Sequence, residues 1–315
     1  MKIPTVSVII PNWNGSHLLG PCLAALRQQT YRDFETVVVD NGSTDNSREV
    51  LAHDYPEVTV IPLDQNHFFA GAVNCGIRQS RSPVIVLLNN DTEPEPCWLV
   101  ALVSALERHP EAGMAASKLL MFDKRTVLHS AGDYYSVSGI PGNRGVWEED
   151  CGQYDDQDAI FSACGGAAAY RRSMLETIGL LDEDLVAYCE DVDLAFRAQL
   201  AGYECVFAAE ARVYHHLSAT GGGPFASYYC GRNFIAVLAK NMPLSLLRRY
   251  WWRILRGQLH HSLNALQHFR QPAARARLRG QIDGLRTIPR MWAKRPTVFA
   301  LQRVSDGHLE SLLQR

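Results

Sequence analysis

Hydrophobic and polar positions along the chain fall into two alternating regimes. Four short runs rich in β-branched and aliphatic residues, VSVIIPNWN from Val6, FETVVVDNGSTD from Phe34, VTVIPLDQN from Val58 and VIVLLNND from Val84, read as strands. The last lacks the polar alternation of a strand with one wet face and predicts a strand covered on both sides, as in a parallel sheet. Between them, residues 18–29, 46–53 and 70–79 read as helices. Strand and helix in turn predict an α/β, Rossmann-like sheet flanked by helices. Each run ends on polar groups: Asn12 and Asn14, Asp40, Asn66, and Asp91. These ends meet at the carboxyl edge of the sheet, where such folds keep their ligand crevice.

Beyond Pro110 the rhythm changes. GMAASKLLMF and DAIFSACGGAAAYRR each read as one further strand, joined by a long Gly-rich, aromatic and acidic loop over residues 132–157. A connection of that length is expected to be functional or mobile. A helix is predicted over residues 190–201, stopped by Gly202 and followed by another strand.

Composition is that of an ordinary globular protein: 315 residues, 47% hydrophobic and 20% charged. The eight cysteines form no CxxC pair, so neither a zinc site nor a disulfide framework is expected, and a reducing cytoplasm is the simplest setting. No signal-like apolar stretch precedes Pro11, and no run reaches the ~18 apolar residues of a membrane span. The net charge of −2 conceals a division. From Arg248 onward fourteen cationic side chains face three acidic ones, a net +11, which leaves −13 on the rest. An acidic body with a basic tail implies two tasks.

In order along residues 5–240 stand SVIIPNWN, VVVDNGSTDNS, NHFFAGAVNCGI, LLNNDTEP, SACGGAAAYRR, YCEDVDLAFR and VYHHLSATGG. This series resembles the family 2 glycosyltransferases of the GT-A fold, and within them the bacterial rhamnosyltransferase-like branch. The resemblance implies a GT-A domain over residues 1–242, with a nucleotide-sugar half (1–110) and an acceptor and catalytic half (111–242), followed by a helical tail (243–315). It also implies inverting transfer from a nucleotide-diphosphate sugar, dTDP-rhamnose for instance, to a saccharide or lipid-linked acceptor in cell-surface polysaccharide synthesis, with Mn2+ or Mg2+ as cofactor. Two rivals stand beside it. A nucleotidyltransferase would need a Gly-rich, Arg/Lys-bearing phosphate loop near the amino terminus, which the sequence lacks; an inactive nucleotide-sugar-binding scaffold would transfer nothing.

The residues themselves leave several roles open. Asp40 closes a strand before the Asn41-Gly42 turn, so it either orders that turn or accepts a hydrogen bond from a base N–H. The resemblance implies the second, with Pro11, Asn12 and Trp13 shaping the same pocket and Asn66 and the Gly71–Asn74 segment lining its other side. The run ending in Asp91 corresponds to the family's Asp-x-Asp type motif, but here Asn89 and Asn90 replace the other acids. Asp91 would hold the cation that bridges the donor phosphates, or merely cap the next turn with Glu93; the two amides would reach the ribose or a metal-bound water. His215 and His216, adjacent on a strand, point to opposite faces, so at most one meets the metal. The spacing to Ser218 in the resembled family favours His215. In YCEDVDLAFR, Asp193 and Arg197 lie four apart and read as a structural pair, which leaves Glu190 and Asp191 in the first helical turn. The resemblance assigns the base to Asp191 and places Glu190 by the acceptor. Gly165 and Gly166 would admit an acceptor sugar to the backbone, or form a tight strand crossing; Trp147 would stack on a sugar ring.

The tail mixes Trp and Leu with arginine. Its composition suits amphipathic helices lying on an anionic membrane surface, peripheral at the inner face of the cytoplasmic membrane, and equally a helical hairpin packed on the body or on a second subunit. No nucleic-acid-binding module accompanies the charge, so no nucleic acid is expected.

Overall fold

The four apolar runs form the parallel half of one mixed sheet in the computed structural model, which describes residues 3–157, 159–216 and 222–315. Strands β1 (Val6–Asn12), β2 (Phe34–Asp40), β3 (Thr59–Pro62) and β4 (Val84–Leu88) are linked by helices α1 (Ser16–Arg27), α2 (Ser47–Asp54) and α3 (Phe68–Gln79). Their order is β3-β2-β1-β4, and the register sets Asn12 beside Asp40. The polar strand ends therefore share one edge.

The second half is built from β5 (Thr92–Pro94), α4 (Trp98–Arg108), β6 (Ala112–Met121), β7 (Leu128–Ser130), β8 (Asp133–Tyr135), β9 (Pro141–Asn143), β10 (Ala159–Ile160), β11 (Ala167–Arg171), α5 (Arg172–Ile178), α6 (Glu190–Leu200) and β12 (Glu204–His215). β11 runs antiparallel between β4 and β6, while β12 lies parallel to β6 on its other side. The segment expected as one strand from residue 158 is thus two, β10 at the sheet margin and β11 at its centre. Residues 161–166 leave the ladder between them, with consequences for the site. The loop over 132–157 is not structureless either. It holds the β8–β9 hairpin, and the buried ammonium of Lys118 gathers Asp150 at 3.0 Å and Asp155 at 2.6 Å beneath it.

Both sheet faces are covered, as the apolar run of β4 predicts. Val8, Val86 and Ala169 pack against Leu19, Leu23, Leu102 and Leu106 on one face, and Ile9, Ile85 and Ala168 against Val73, Ile77, Met174 and Ala195 on the other. A third apolar cluster joins Phe161, Phe196 and Tyr135 to the carboxyl-terminal helices α7 (Gly223–Asn241), α8 (Leu244–Gln267), α9 (Pro272–Ala293), α10 (Arg295–Ala300) and α11 (Asp306–Leu312). Within the tail, α9 lies along α7, as the packing alternative expects, whereas α8 keeps one long face toward solvent.

The α7–α9 contact depends on absent side chains. A Cβ on Gly284 would lie 2.8 Å from the Arg232 carbonyl oxygen, one on Gly231 2.6 Å from that of Arg277, and one on Gly280 would collide with that of Tyr228. Backbones this close leave no room for a methyl group. Gly280→Ala should therefore part the helices and lower stability by about 1–3 kcal/mol in urea unfolding; an unchanged midpoint would show that the contact is looser than described.

Candidate active site

At the nucleotide end, hydrogen bonds among side chains knit the strand termini together. Asn12 Oδ1 accepts from Asn90 Nδ2 at 2.8 Å, joining β1 to the turn after β4. Gly15 lies over this bond, where a Cβ would strike both amides. Asp40 is fully buried; one of its oxygens accepts from Arg48 Nε, and the other, Oδ1, has no hydrogen-bond partner among the described residues. That oxygen is an acceptor of the kind a base N–H requires. Asn66 Oδ1 accepts from Asn41 at 2.9 Å and from the Phe68 amide at 2.7 Å, so it shapes the opposite wall through its neighbours. Pro11 is half-buried in β1, Trp13 stands exposed just past its end, and Gly71 lies against His67. Asn74 departs from expectation. Its amide donates to Leu181 O and Glu183 Oε1 at 2.9 Å while its oxygen accepts from Leu181 N at 3.0 Å, so it clamps a distant loop instead of lining the pocket.

The turn after β4 is held from both sides. Asn89 N donates to Gly166 O at 2.8 Å, and His216 N donates to Asp91 O at 2.9 Å. Alternation along β12 then turns His215 inward and His216 outward, the latter stacked on Phe122 at 3.5 Å between ring centroids. His215 Nε2 lies 3.3 Å from Asp91 Oδ1. That separation is what two ligands span when each lies about 2.2 Å from a shared cation, so these residues suit a divalent metal. Ser218, which entered the choice of His215, lies outside the described residues. His129, on β7, went unnoticed in the sequence. Its Nδ1 is 3.0 Å from His215 Nδ1, because β7 and β12 both pair with the end of β6. Burial, then the nearby His215, pushes His129 down to about 3, so its imidazole is neutral. A lone His in a short strand carries no local signal of such a neighbour.

The third component is the start of α6. Asp191 accepts from Gly165 N through Oδ2 and from Val192 N through Oδ1, both at 2.8 Å. Residues 161–166 leave the ladder to make this contact: a Cβ on Gly165 would lie 3.3 Å from the Asp191 side chain, and one on Gly166 3.4 Å from the Asn89 amide. Val186, Tyr188 and Cys189 approach the helix with positive φ, conformations that non-glycine residues adopt only under tertiary constraint. Asn233 of α7 supplies the constraint by donating to the carbonyls of Leu185, Ala187 and Tyr188 at 2.7–2.9 Å. Asp193 and Arg197 pair as the sequence suggests, but deep in the interior, where Lys240 and Asn241 join them. Burial opposes the charge on Asp193, yet Lys240 and Arg197 hold it below the usual carboxylate range.

Around Asp191 the balance reverses. Burial raises Asp191 despite its two N–H donors. Burial and then Asp191 push Glu190 up to about 8, and the same causes push Asp133, from the β8–β9 hairpin, up to about 7. Glu190 Oε2 is buried without a hydrogen-bond partner among the described residues. Asp133, Cys164 and Asp191 also offer ligand atoms within 4.8 Å of one another, close enough to share a cation; burial raises the Cys164 thiol above its ordinary range. Asp133 is a further residue missed in the sequence, where it opened an apparently irregular loop. Trp147, most exposed of the large apolar side chains among the described residues, is tied through its backbone to Leu128, one residue before His129.

A mixed α/β sheet with a polar carboxyl edge, a buried carboxylate closing β2, a carboxylate–imidazole pair after β4 and a carboxylate heading α6 has the architecture of the GT-A fold. Residues 7–179 match the family model described as Glycosyl transferase family 2. The chain belongs to that family. Over 227 residues it is 31% identical to the O-antigen biosynthesis protein RfbC of Myxococcus xanthus, covering 69% of this chain and 18% of that protein. Over 271 residues it is 29% identical to the N-acetylglucosaminyl-diphospho-decaprenol L-rhamnosyltransferase of Mycobacterium tuberculosis, covering 78% of this chain and 86% of that one. The chain thus spans less than a fifth of RfbC and most of the mycobacterial protein. Among solved structures, GalNAc-T7 with UDP, GalNAc and Mn2+ superposes with a TM-score of 0.61 at 17% identity, over 76% of this chain and 48% of that one. The mannosyltransferase PcManGT of Pyrobaculum calidifontis, in complex with GDP-Man and Mn2+, gives 0.55 at 16% identity, over 96% and 86%.

Two measurements check these electrostatics. Glu190 titrates near 4.5 when unperturbed and about 8 in the fold, so its contribution to stability is complete below 4.5 and is lost as pH rises through about 8. Glu190→Gln should flatten the decline in melting temperature across that window; an unaltered slope would contradict the shift. Lys240→Met, which leaves Asp193 short of a cation, should cost about 3–5 kcal/mol in denaturant unfolding, and a near-neutral result would show Arg197 alone to be sufficient.

Proposed function

We propose that the chain is an inverting glycosyltransferase that moves a sugar, with dTDP-rhamnose the favoured donor, onto a saccharide or lipid-linked acceptor during cell-surface polysaccharide synthesis. Residues 1–242 form the catalytic unit and 243–315 its appendage. One observation carries the reading. Gly165 and Gly166, adjacent in the chain, bond Asp191 on one side and the end of β4 on the other, so the base and the metal-binding turn face a single crevice. The rhamnosyl choice is supported by the mycobacterial relative, which covers most of both chains.

Each chain residue has a task. Asp40 Oδ1 receives the imide N–H of uracil or thymine, with Pro11, Asn12, Trp13, Asn66 and Gly71 shaping the pocket. Asn89 and Asn90 bond the ribose or a water on the metal. Asp91 and His215 hold Mn2+ or Mg2+, which when bound offsets charge on the departing diphosphate. Asp191 takes the proton from the acceptor hydroxyl as that oxygen bonds to the anomeric carbon and the bond to the diphosphate breaks. Its raised pKa strengthens it as a base, and Glu190, pushed up to about 8 and so mostly protonated near pH 7, spares it an adjacent charge. The small Gly165 and Gly166, with Trp147 and Glu190 at the rim, admit the acceptor.

Asp191→Asn should bind donor as the parent does yet transfer it about 10²- to 10⁴-fold more slowly. Asp91→Ala should lose both transfer and the Mn2+-dependent part of the thermal shift given by a dTDP sugar. Full turnover by Asp191→Asn would discard the base assignment, and an undiminished Mn2+ effect in Asp91→Ala would discard the metal site.

A further inference from the structure

Helix α8 has two apolar faces where packing uses one. Leu246, Tyr250, Ile254, Gly257, His261 and Ala265 turn inward, and Gln258 and Ser262 bond Gln281 of α9. On the other side Trp252, Leu255, Leu259, Leu263 and Leu266 recur at intervals of three and four, a second stripe whose side chains are 42–59% exposed, with Trp251 beside it at 60%. A parallel row one residue further on, Arg253, Arg256 and His260, is exposed as well. No helix among the described residues is long and apolar enough to cross a membrane.

We infer that this outer face of α8 docks in the plane of an anionic phospholipid surface. The apolar stripe would enter the acyl boundary, the indoles of Trp251 and Trp252 would lie at headgroup level, and the arginine row would meet lipid phosphates. Charge selects this occupant over a second copy of the chain, since self-association through α8 would bring two tails of net +11 together. The surface also has a mechanical route to the site. α8 packs on α9, whose Arg290 pairs with Asp184, and Lys294, just beyond α9, bonds Asp182 at 2.6 Å; Lys240 then links Asp182 to Asp193 at 2.7 and 2.8 Å. The catalytic turn is thus joined to the lipid-facing helix through a chain of ion pairs. Only the benefit to a lipid-linked acceptor rests on the proposed transfer; the surface itself does not.

The test is co-sedimentation of the full chain with phosphatidylglycerol-containing and pure phosphatidylcholine vesicles. Binding should require the anionic lipid, weaken as salt is added, and shift tryptophan emission to the blue. A combined Leu255→Glu, Leu259→Glu and Leu263→Glu variant should lose on the order of tenfold or more in partitioning without a change in melting temperature, because these side chains already face solvent. Arg253→Gln with Arg256→Gln should retain folding and lose most of the salt dependence. Equal sedimentation of parent and triple variant, absence of binding to anionic vesicles, or a dimer abolished by the triple variant in protein that ignores vesicles would each overturn the inference. Vesicle binding by a protein that transfers no sugar would leave this surface standing and remove the transferase reading instead.

Discussion

An ionised carboxylate without access to water must be surrounded by cations and donors, and Asp193 places that requirement at the centre of the molecule. Arg197 satisfies it from the same helix, Lys240 and Asn241 from α7, and Lys240 also bonds Asp182, which Lys294 contacts from beyond α9. The partners thus come from α6 itself, from α7 and from the residue after α9. The start of α6 is fixed in space because displacing any of those segments would strand a charge. Asp191 lies two residues from this anchor and inherits its rigidity.

The same anchoring explains how strain is tolerated ahead of the helix. Three non-glycine residues with positive φ would relax if the loop were free, but Asn233 bonds the carbonyls of Leu185, Ala187 and Tyr188 in the same loop, from a helix already held by Lys240. The carboxylates beyond the anchor live under opposite conditions. Asp193 is surrounded by positive charge and stays ionised, whereas Glu190 and Asp133, also buried, each face the charge of Asp191 and are pushed up to about 8 and about 7. A few ångströms separate a group whose task is cohesion from groups able to exchange a proton.

At the other side of the crevice, β4 has a parallel neighbour in β1 and an antiparallel one in β11. That mixture lets Gly165 and Gly166 return beside Asn89 and Asp91. An all-parallel sheet would have sent the corresponding connection to the far edge.

Much of this was legible in the order of residues. The uninterrupted apolar run of β4 specified a buried strand because no other element hides both faces, and the polar ends of the four runs identified the ligand edge. The period-two geometry of a strand showed that His215 and His216 could not both face inward. Spacing of four paired Asp193 with Arg197. What only tertiary structure decided were relations without a local trace. Asn74 looks like a pocket residue until the 181–183 loop packs over it, Asp133 and His129 gain neighbours only when hairpin and sheet close, and the tail's composition was equally consistent with lipid contact and with packing on protein. Local pattern records which face of an element is apolar; it does not record what that face meets. That depends on contacts between residues far apart in sequence, and here these divided the tail into one helix inside the fold and one beside solvent.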